Sequence, residues 1–225
     1  NDSVLFDLTR RSPLRRAGYD FLVTQSPDIR GIDVALLYQP KVFRLHAHCS
    51  VRVPSAQNGF RPTRDILHAT GLLPSGDTLH VVAVHLPSRS GNSRQSARHR
   101  RLAMSSLCTV LDSLQGKKTI LMGDFNAEPS DPLFQMLEDR MISLMPQSKS
   151  ELRKAKGTYM FQGQWGFLDH IFVSPALKPQ TEPQAKVAAF PFLVDKDGHP
   201  FRTYRGPYYA GGVSDHLPVF VEMSF

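Results

Sequence analysis

The stretch Thr119-Ile120-Leu121-Met122-Gly123-Asp124-Phe125-Asn126 reads as a short buried strand that runs into a glycine and ends on a carboxylate. Two later stretches repeat that design. Phe167 to Val173 is an apolar run carrying Leu168-Asp169-His170-Ile171, and Ser214-Asp215-His216 stands just before the run Val219 to Met223. A fourth run, Val81 to Val84, ends on His85. Acids beside buried strands are costly unless they are paired or bind a metal. Alone, each tripeptide is weak: an Asp-x-Asn turn cap or a loop Asp-His pair is common. Three acids, an amide and two imidazoles at four strand ends, in this order, are the parts for metal-assisted hydrolysis of a phosphate ester.

Each residue then has a chemical role to fill. Gly123 permits a tight turn, and Asp124 with Asn126 can orient a water for in-line attack on phosphorus. Asp215 suits a hard divalent cation, which takes oxygen ligands, and Asp124 is a second candidate ligand. His216 suits a hydrogen bond to a phosphoryl oxygen. Asp169 suits the carboxylate that fixes the tautomer of such a histidine. His85 is either a second imidazole contact to phosphate or a satisfied half-buried histidine, and Asp33 is a candidate partner for it. His170 points to the opposite face of an extended strand from Asp169, so it stays outside the site.

The rest of the chain supplies the frame. Val34 to Tyr38 reads as a buried strand, Val42 to Val53 as a half-exposed one, and Ile66 to Gly71 and Leu79 to Leu86 as two more. Pro74-Ser75-Gly76-Asp77 is a hairpin signal. Ser93 to Leu114 is the best helix, with Ala103, Leu107, Val110, Leu111 and Leu114 on one stripe and Gly116 closing it. Its first turns carry Arg94, Arg98, His99, Arg100 and Arg101, either a solvated basic face or a phosphate-facing helix start. Ser130-Asp131-Pro132 opens another helical segment. Many strands, few helices and hairpin-like neighbours predict two packed, mostly antiparallel sheets with helices outside, in an α/β class. Strand ends on one rim of such a sandwich converge on a shared cleft.

The 225 residues suffice for one domain, and no repeat or linker divides residues 1–225. Lys and Arg number 27 against 20 Asp and Glu, a net charge of +7, which suits a polyanionic partner, nucleic acid before lipid. Arg89, Arg94, Arg98 and Arg101 are the candidate contacts to its backbone, with Arg89 and Arg98 foremost. No apolar run reaches the length of a membrane span. Cys49 and Cys108 leave the redox compartment open, and Cys108 fits a buried inert thiol. The chain opens on Asn1-Asp2-Ser3 without a signal-like segment, which leaves localisation open. Oligomeric state is not legible.

The set His85-Leu86, Gly123-Asp-Phe-Asn126, Leu168-Asp-His-Ile171 and Ser214-Asp-His216 resembles the endonuclease/exonuclease/phosphatase superfamily. Further stretches resemble a bacterial branch of unassigned substrate: Arg30 to Tyr38, His85 to Arg89, Gly157-Thr-Tyr159 with Trp165, and Arg202 to Gly206. The resemblance runs from about Asn1 to Phe225. It implies a four-layered α/β sandwich with a Mg²⁺ or Mn²⁺ site. It implies Asp124 and Asn126 on the attacking water, and Asp215 in the metal shell. It also implies His216 on the phosphate, Asp169 behind it, and His85 as a second phosphate contact. The family's first strand, its following helix and a metal-binding Glu would precede Asn1, so the resemblance implies a chain truncated at its N-terminus. Glu128, Glu138, Glu151, Glu182 and Glu222 do not stand in the context of that Glu.

Two rivals follow. One keeps the chemistry and changes the substrate to a phospholipid or sugar phosphate, for which Phe190-Pro-Phe-Leu193 is a candidate apolar loop, although core packing is the plainer role for it. The other is a non-catalytic polyanion-binding domain. The segment from Gln180 to Gly212 is expected near the cleft.

Overall fold

The computed structural model describes residues 1–89, 91–146, 157–177 and 184–223. Glu151, Glu182 and the first residues of the 180–212 segment lie outside the described residues. The chain opens with a short helix α1 (Asp2–Phe6), followed by a π turn over Asp7–Arg11 and a 3-10 turn over Pro13–Ala17. Then come β1 (Asp20–Val23), β2 (Ala35–Tyr38), β3 (Arg44–Val51), β4 (Ile66–Leu72) and β5 (Thr78–His85). Helix α2 (Ser93–Ser113) leads to β6 (Thr119–Asp124), β7 (Ile142–Ser143), β8 (Tyr159–Phe161), β9 (Gln164–Gly166) and β10 (Asp169–Val173). Short pairs close the chain: β11 (Lys186–Val187), β12 (Tyr204–Arg205), β13 (Tyr208–Tyr209) and β14 (Val219–Phe220).

Six strands form one sheet in the order β3-β4-β5-β6-β10-β7. Every pairing in it is antiparallel except β5 with β6. A parallel pair needs a long crossover, and α2 is that crossover. The Asn92 side chain caps the helix by accepting from the backbone N–H groups of Arg94 and Gln95. The stripe Ala103, Leu107, Val110, Leu111 and Leu114 is buried against Val82, Val84, Leu121 and Phe125 of the sheet. The opposite face of the sheet buries Leu67, Ala69, Val81, Ile171 and Val173 against Leu22 and Leu36 of β1 and β2. Val187 and Val219, from the β11–β14 pair, pack on the same core. Helix, sheet and a second strand layer make a mixed α/β architecture.

Two local expectations change. The Val34–Tyr38 run is only partly buried: Ala35 is exposed and Leu36 buried, because β2 belongs to a sheet two strands wide with one face on the core. The segment after Asp131 forms a 3-10 turn over Pro132–Leu137. Cys108 is buried and Cys49 exposed, both as free thiols. Among the described residues, no helix is long and apolar enough to cross a membrane.

The register of the central strands places the motifs. Asp124 pairs with Asp169 across β6 and β10, and with His85 across β6 and β5. Three strand ends therefore present their polar residues side by side. Gly123 makes this possible: its φ is +144°, and a Cβ there would collide with the carbonyl oxygen of Val84. Gly123→Ala is expected to cost at least about 2 kcal/mol, since backbone strain adds to a clash with a neighbouring strand. A urea midpoint equal to that of the wild type would contradict this.

Candidate active site

Each polar group sits where an apolar run stops. Ile120 to Gly123 bond to neighbours on both sides, so the strand delivers Asp124 to the sheet edge with its side chain 16% exposed. Beyond it Asn126 adopts φ +49°, which turns the chain back over its own carboxylate. The Asn126 backbone N–H donates to Asp124 Oδ1 at 2.7 Å. Its side-chain Nδ2 donates to Asp124 Oδ2 at 3.2 Å and to Leu86 O at 3.0 Å. Asn126 could share the rim with Asp124 had the chain stayed extended there. The left-handed turn instead makes Asn126 a clamp on Asp124.

His216 Nδ1 lies 2.7 Å from Asp169 Oδ2. That contact fixes Nδ1 as the protonated nitrogen and leaves Nε2 for the cleft. Burial works against the imidazolium, but the hydrogen bond and charge of Asp169, with Asp124 and Asp215 behind it, raise the His216 pKa above its usual value. Burial, with the charge of Asp169 next, pushes Asp124 up to about 6, against the pull of His216, the Asn126 N–H and Arg64. His85 Nε2 stands 3.3 Å from Asp124 Oδ2. Burial first, then Arg64, Arg30 and His216, hold its pKa down at about 3, so it is a neutral imidazole.

These five residues line one cleft of about 830 Å³ together with Arg89, Ser214 and Asp215. Arg89 Nη1 is 3.3 Å from Glu128 Oε1. Asp215 is exposed, with Oδ2 3.9 Å from Arg202 Nη1. Arg98 is exposed on α2 and does not line this cleft. Asp33 does not meet His85. It accepts from Thr24 Oγ1 and from the Ser26 N–H, and the parallel register gives His85 to Asp124 instead. His170 is buried on the helix side of the sheet, with Nε2 on the carbonyls of Ala127 and Phe167.

Several contributors were not singled out by motif. Thr158 is fully buried, and its Oγ1 accepts from the Leu168 N–H at 3.0 Å while its carbonyl accepts from the Leu217 N–H at 2.7 Å. It thus ties together the two segments that carry Asp169 and His216. Glu128 accepts from the Phe167 N–H at 2.9 Å and faces the cleft. Tyr159, Phe161 and Trp165 form an aromatic wall there. Only the Gly157-Thr-Tyr159 and Trp165 signatures hinted at them in sequence. Phe190 and Phe192, expected in a core, are 55% and 67% exposed and stack on each other.

A cation would fit this donor set. Asp124, Asp169 and His216 offer ligand atoms within 4.8 Å of one another. The two carboxylates face each other across one strand pair, which is the charge imbalance that a hard divalent ion relieves. Asp215 lines the cleft but does not join that trio.

The profile of the Endonuclease/Exonuclease/phosphatase family matches residues 1–224. No curated protein sequence matches the chain. Among solved structures, a functionally unknown conserved protein from Enterococcus faecalis aligns over 99% of this chain and 81% of its own, at 18% identity and a TM-score of 0.64. The human Nocturnin catalytic domain aligns over 98% of this chain and 77% of its own, at 19% identity and a TM-score of 0.63. A mannosyl-6-phosphatase from Bacteroides thetaiotaomicron aligns over 98% and 81%, at 18% identity and a TM-score of 0.62. At such identities the likeness is one of fold. The family match spans nearly every residue, and on it the chain belongs to the endonuclease/exonuclease/phosphatase family.

Proposed function

We propose that residues 1–225 form one divalent-metal-dependent phosphoesterase domain, most simply a phosphodiesterase or nuclease, that works by in-line attack of water. The observation that carries this reading is the Asp169–His216 pair at 2.7 Å, facing Asp124 across the β6–β10 register. A polyanion-binding domain has no use for a tautomer-fixed histidine opposite a carboxylate of raised pKa.

Asp124, with Asp169 or Asp215, would hold Mg²⁺ or Mn²⁺, which supplies Lewis-acid polarisation of the phosphoryl oxygens. Asp124 is also suited to take the proton of the attacking water, since it faces the cleft with His216 and Asn126 beside it. Asn126 holds Asp124 in place, and through it the water. The His216 imidazolium donates from Nε2 to the phosphoryl oxygen where charge accumulates, and Asp169 keeps it charged and aligned. His85 offers a neutral N–H beside it. Arg89 borders the cleft as a contact to the non-reacting part of the ester.

The +7 charge favours nucleic acid as the substrate. Exposed Phe190 and Phe192 favour a second reading, an ester with an apolar tail such as a phospholipid. The test is a screen of DNA, RNA, phospholipid, sugar phosphate and simple diesters with Mg²⁺ or Mn²⁺. Turnover is expected with at least one class, to be abolished by EDTA and restored by added metal. Turnover that survives complete chelation would sink the metal-dependent reading.

A further inference from the structure

A second cavity, of about 390 Å³, lies beside the cleft, and Ser88 lines both. It is walled by the Asp28–Arg30 turn, the Gly59–Arg64 segment and the first turns of α2. The catalytic reading above makes no use of it.

Its chemistry is that of an anion site. Arg30, Arg61 and Arg64 line it, and Asp28 is the lone acid among the lining residues. That acid is already committed. Asp28 Oδ1 accepts from Arg30 N and Nε, and Oδ2 from Arg30 Nη2 and Arg64 Nη1. Three guanidinium groups against one carboxylate leave an excess of positive charge. Arg61 is exposed, and among the described residues no hydrogen bond or ion pair engages its guanidinium. The 21-residue helix α2 adds the positive end of its dipole, since Asn92, Gln95 and Ser96 are in the wall.

We propose that this cavity is a second phosphate subsite, which takes a phosphate group of the substrate other than the one being cleaved. The proposal rests on the phosphoesterase reading for its meaning, and its substrates are esters with at least two phosphates. A nucleic-acid backbone and a bisphosphorylated sugar share that chemistry. Arg64 links the two places, because its Nε donates to the His85 carbonyl at 3.0 Å while it forms part of the cavity wall. A phosphate seated there is thus held against the segment that carries His85.

The subsite can be tested without turnover. Titration of the full chain with inorganic phosphate, followed by ¹H–¹⁵N spectra, is expected to shift the amides of Gly59, Phe60, Arg61 and Thr63 and of residues 93–96. Arg61→Glu is expected to weaken that response at least about tenfold, the scale of one lost charge-assisted contact with a reversed charge in its place. Silence at Gly59, Phe60, Arg61 and Thr63, or an Arg61→Glu chain that answers phosphate as the wild type does, overturns the subsite whatever the enzyme does. A kinetic arm compares a 5′-phosphorylated dinucleotide and a bisphosphorylated sugar with their monophosphate counterparts. Arg61→Glu should raise KM for the substrates with two phosphates by about tenfold. The better of those two names the source of the second phosphate. Equal KM changes for mono- and bisphosphates overturn the proposal. Absence of turnover on every ester would refute the phosphoesterase reading and leave the spectra to judge the cavity.

Discussion

His216→Ala is expected to lower turnover by about a hundredfold to ten-thousandfold, the range for removing a group that transfers or holds a proton in the transition state. The fold should survive the change. The His216 side chain is about a quarter exposed at the cleft edge, and the segment is anchored by Leu217, whose N–H donates to the Thr158 carbonyl. Asp169→Asn separates charge from shape. It keeps an acceptor for Nδ1 but removes the carboxylate that lifts the His216 pKa. The imidazolium population at neutral pH should then fall, and the rate optimum should move to lower pH. Both variants are to be read in kcat, with thermal melts as the control for folding. Near-wild-type kcat in His216→Ala would remove the histidine from the chemistry.

What could be read along the chain was whatever local pattern encodes. β4, β5, β6 and α2 announce themselves by short apolar runs, by alternation or by a helical stripe, and the polar residues that end them stand out against that background. Hence Asp124, Asp169 and His216 could be named as a group, and the structure brings them within reach of one another. Partner choice is different. The pairing of His85 with Asp124 follows from a parallel register across a 21-residue helix, and nothing near His85 signals it; Asp33, at the start of the Val34 strand, was only a guess at its partner. Thr158 bonds to Leu168 and Leu217 through its hydroxyl and carbonyl, which no periodicity shows. β1 and the two-residue strands β7, β11, β12 and β13 are too short or too irregular to give a period at all.

The deepest example of a long-range partnership is Asp28 with Arg64, and it should carry the largest stability effect in the protein. Their side chains are 3% and 2% exposed, and they meet at 3.1 Å across 36 residues of sequence. Arg64 places Nη1 on Asp28, Nε on the His85 carbonyl and Nη2 on the Leu86 carbonyl. The ion pair therefore buttresses the end of β5 where the site begins. Asp28→Ala strands the guanidinium in the interior and is expected to cost about 3–5 kcal/mol, a drop in Tm of roughly 10 °C for a chain of this length. Replacing both partners, as Asp28→Ala with Arg64→Met, should cost less than the single change, because no charge is then left buried alone. The same pair predicts a pH dependence. Burial alone would raise Asp28, but its hydrogen bonds from Arg30 and Arg64 hold it at about 2, below the ordinary 3.8. A depressed carboxylate stabilises fully above its unfolded pKa and loses that contribution as pH falls through the folded one. About 2 kcal/mol should thus disappear between roughly pH 4 and pH 2 in the wild type, and not in Asp28→Ala. Urea midpoints of wild type, single and double variants at pH 7 and pH 3 measure both effects. A single variant as stable as the double, or a wild type and an Asp28→Ala chain that lose equal stability on acidification, would show that the pair does not hold the strand end.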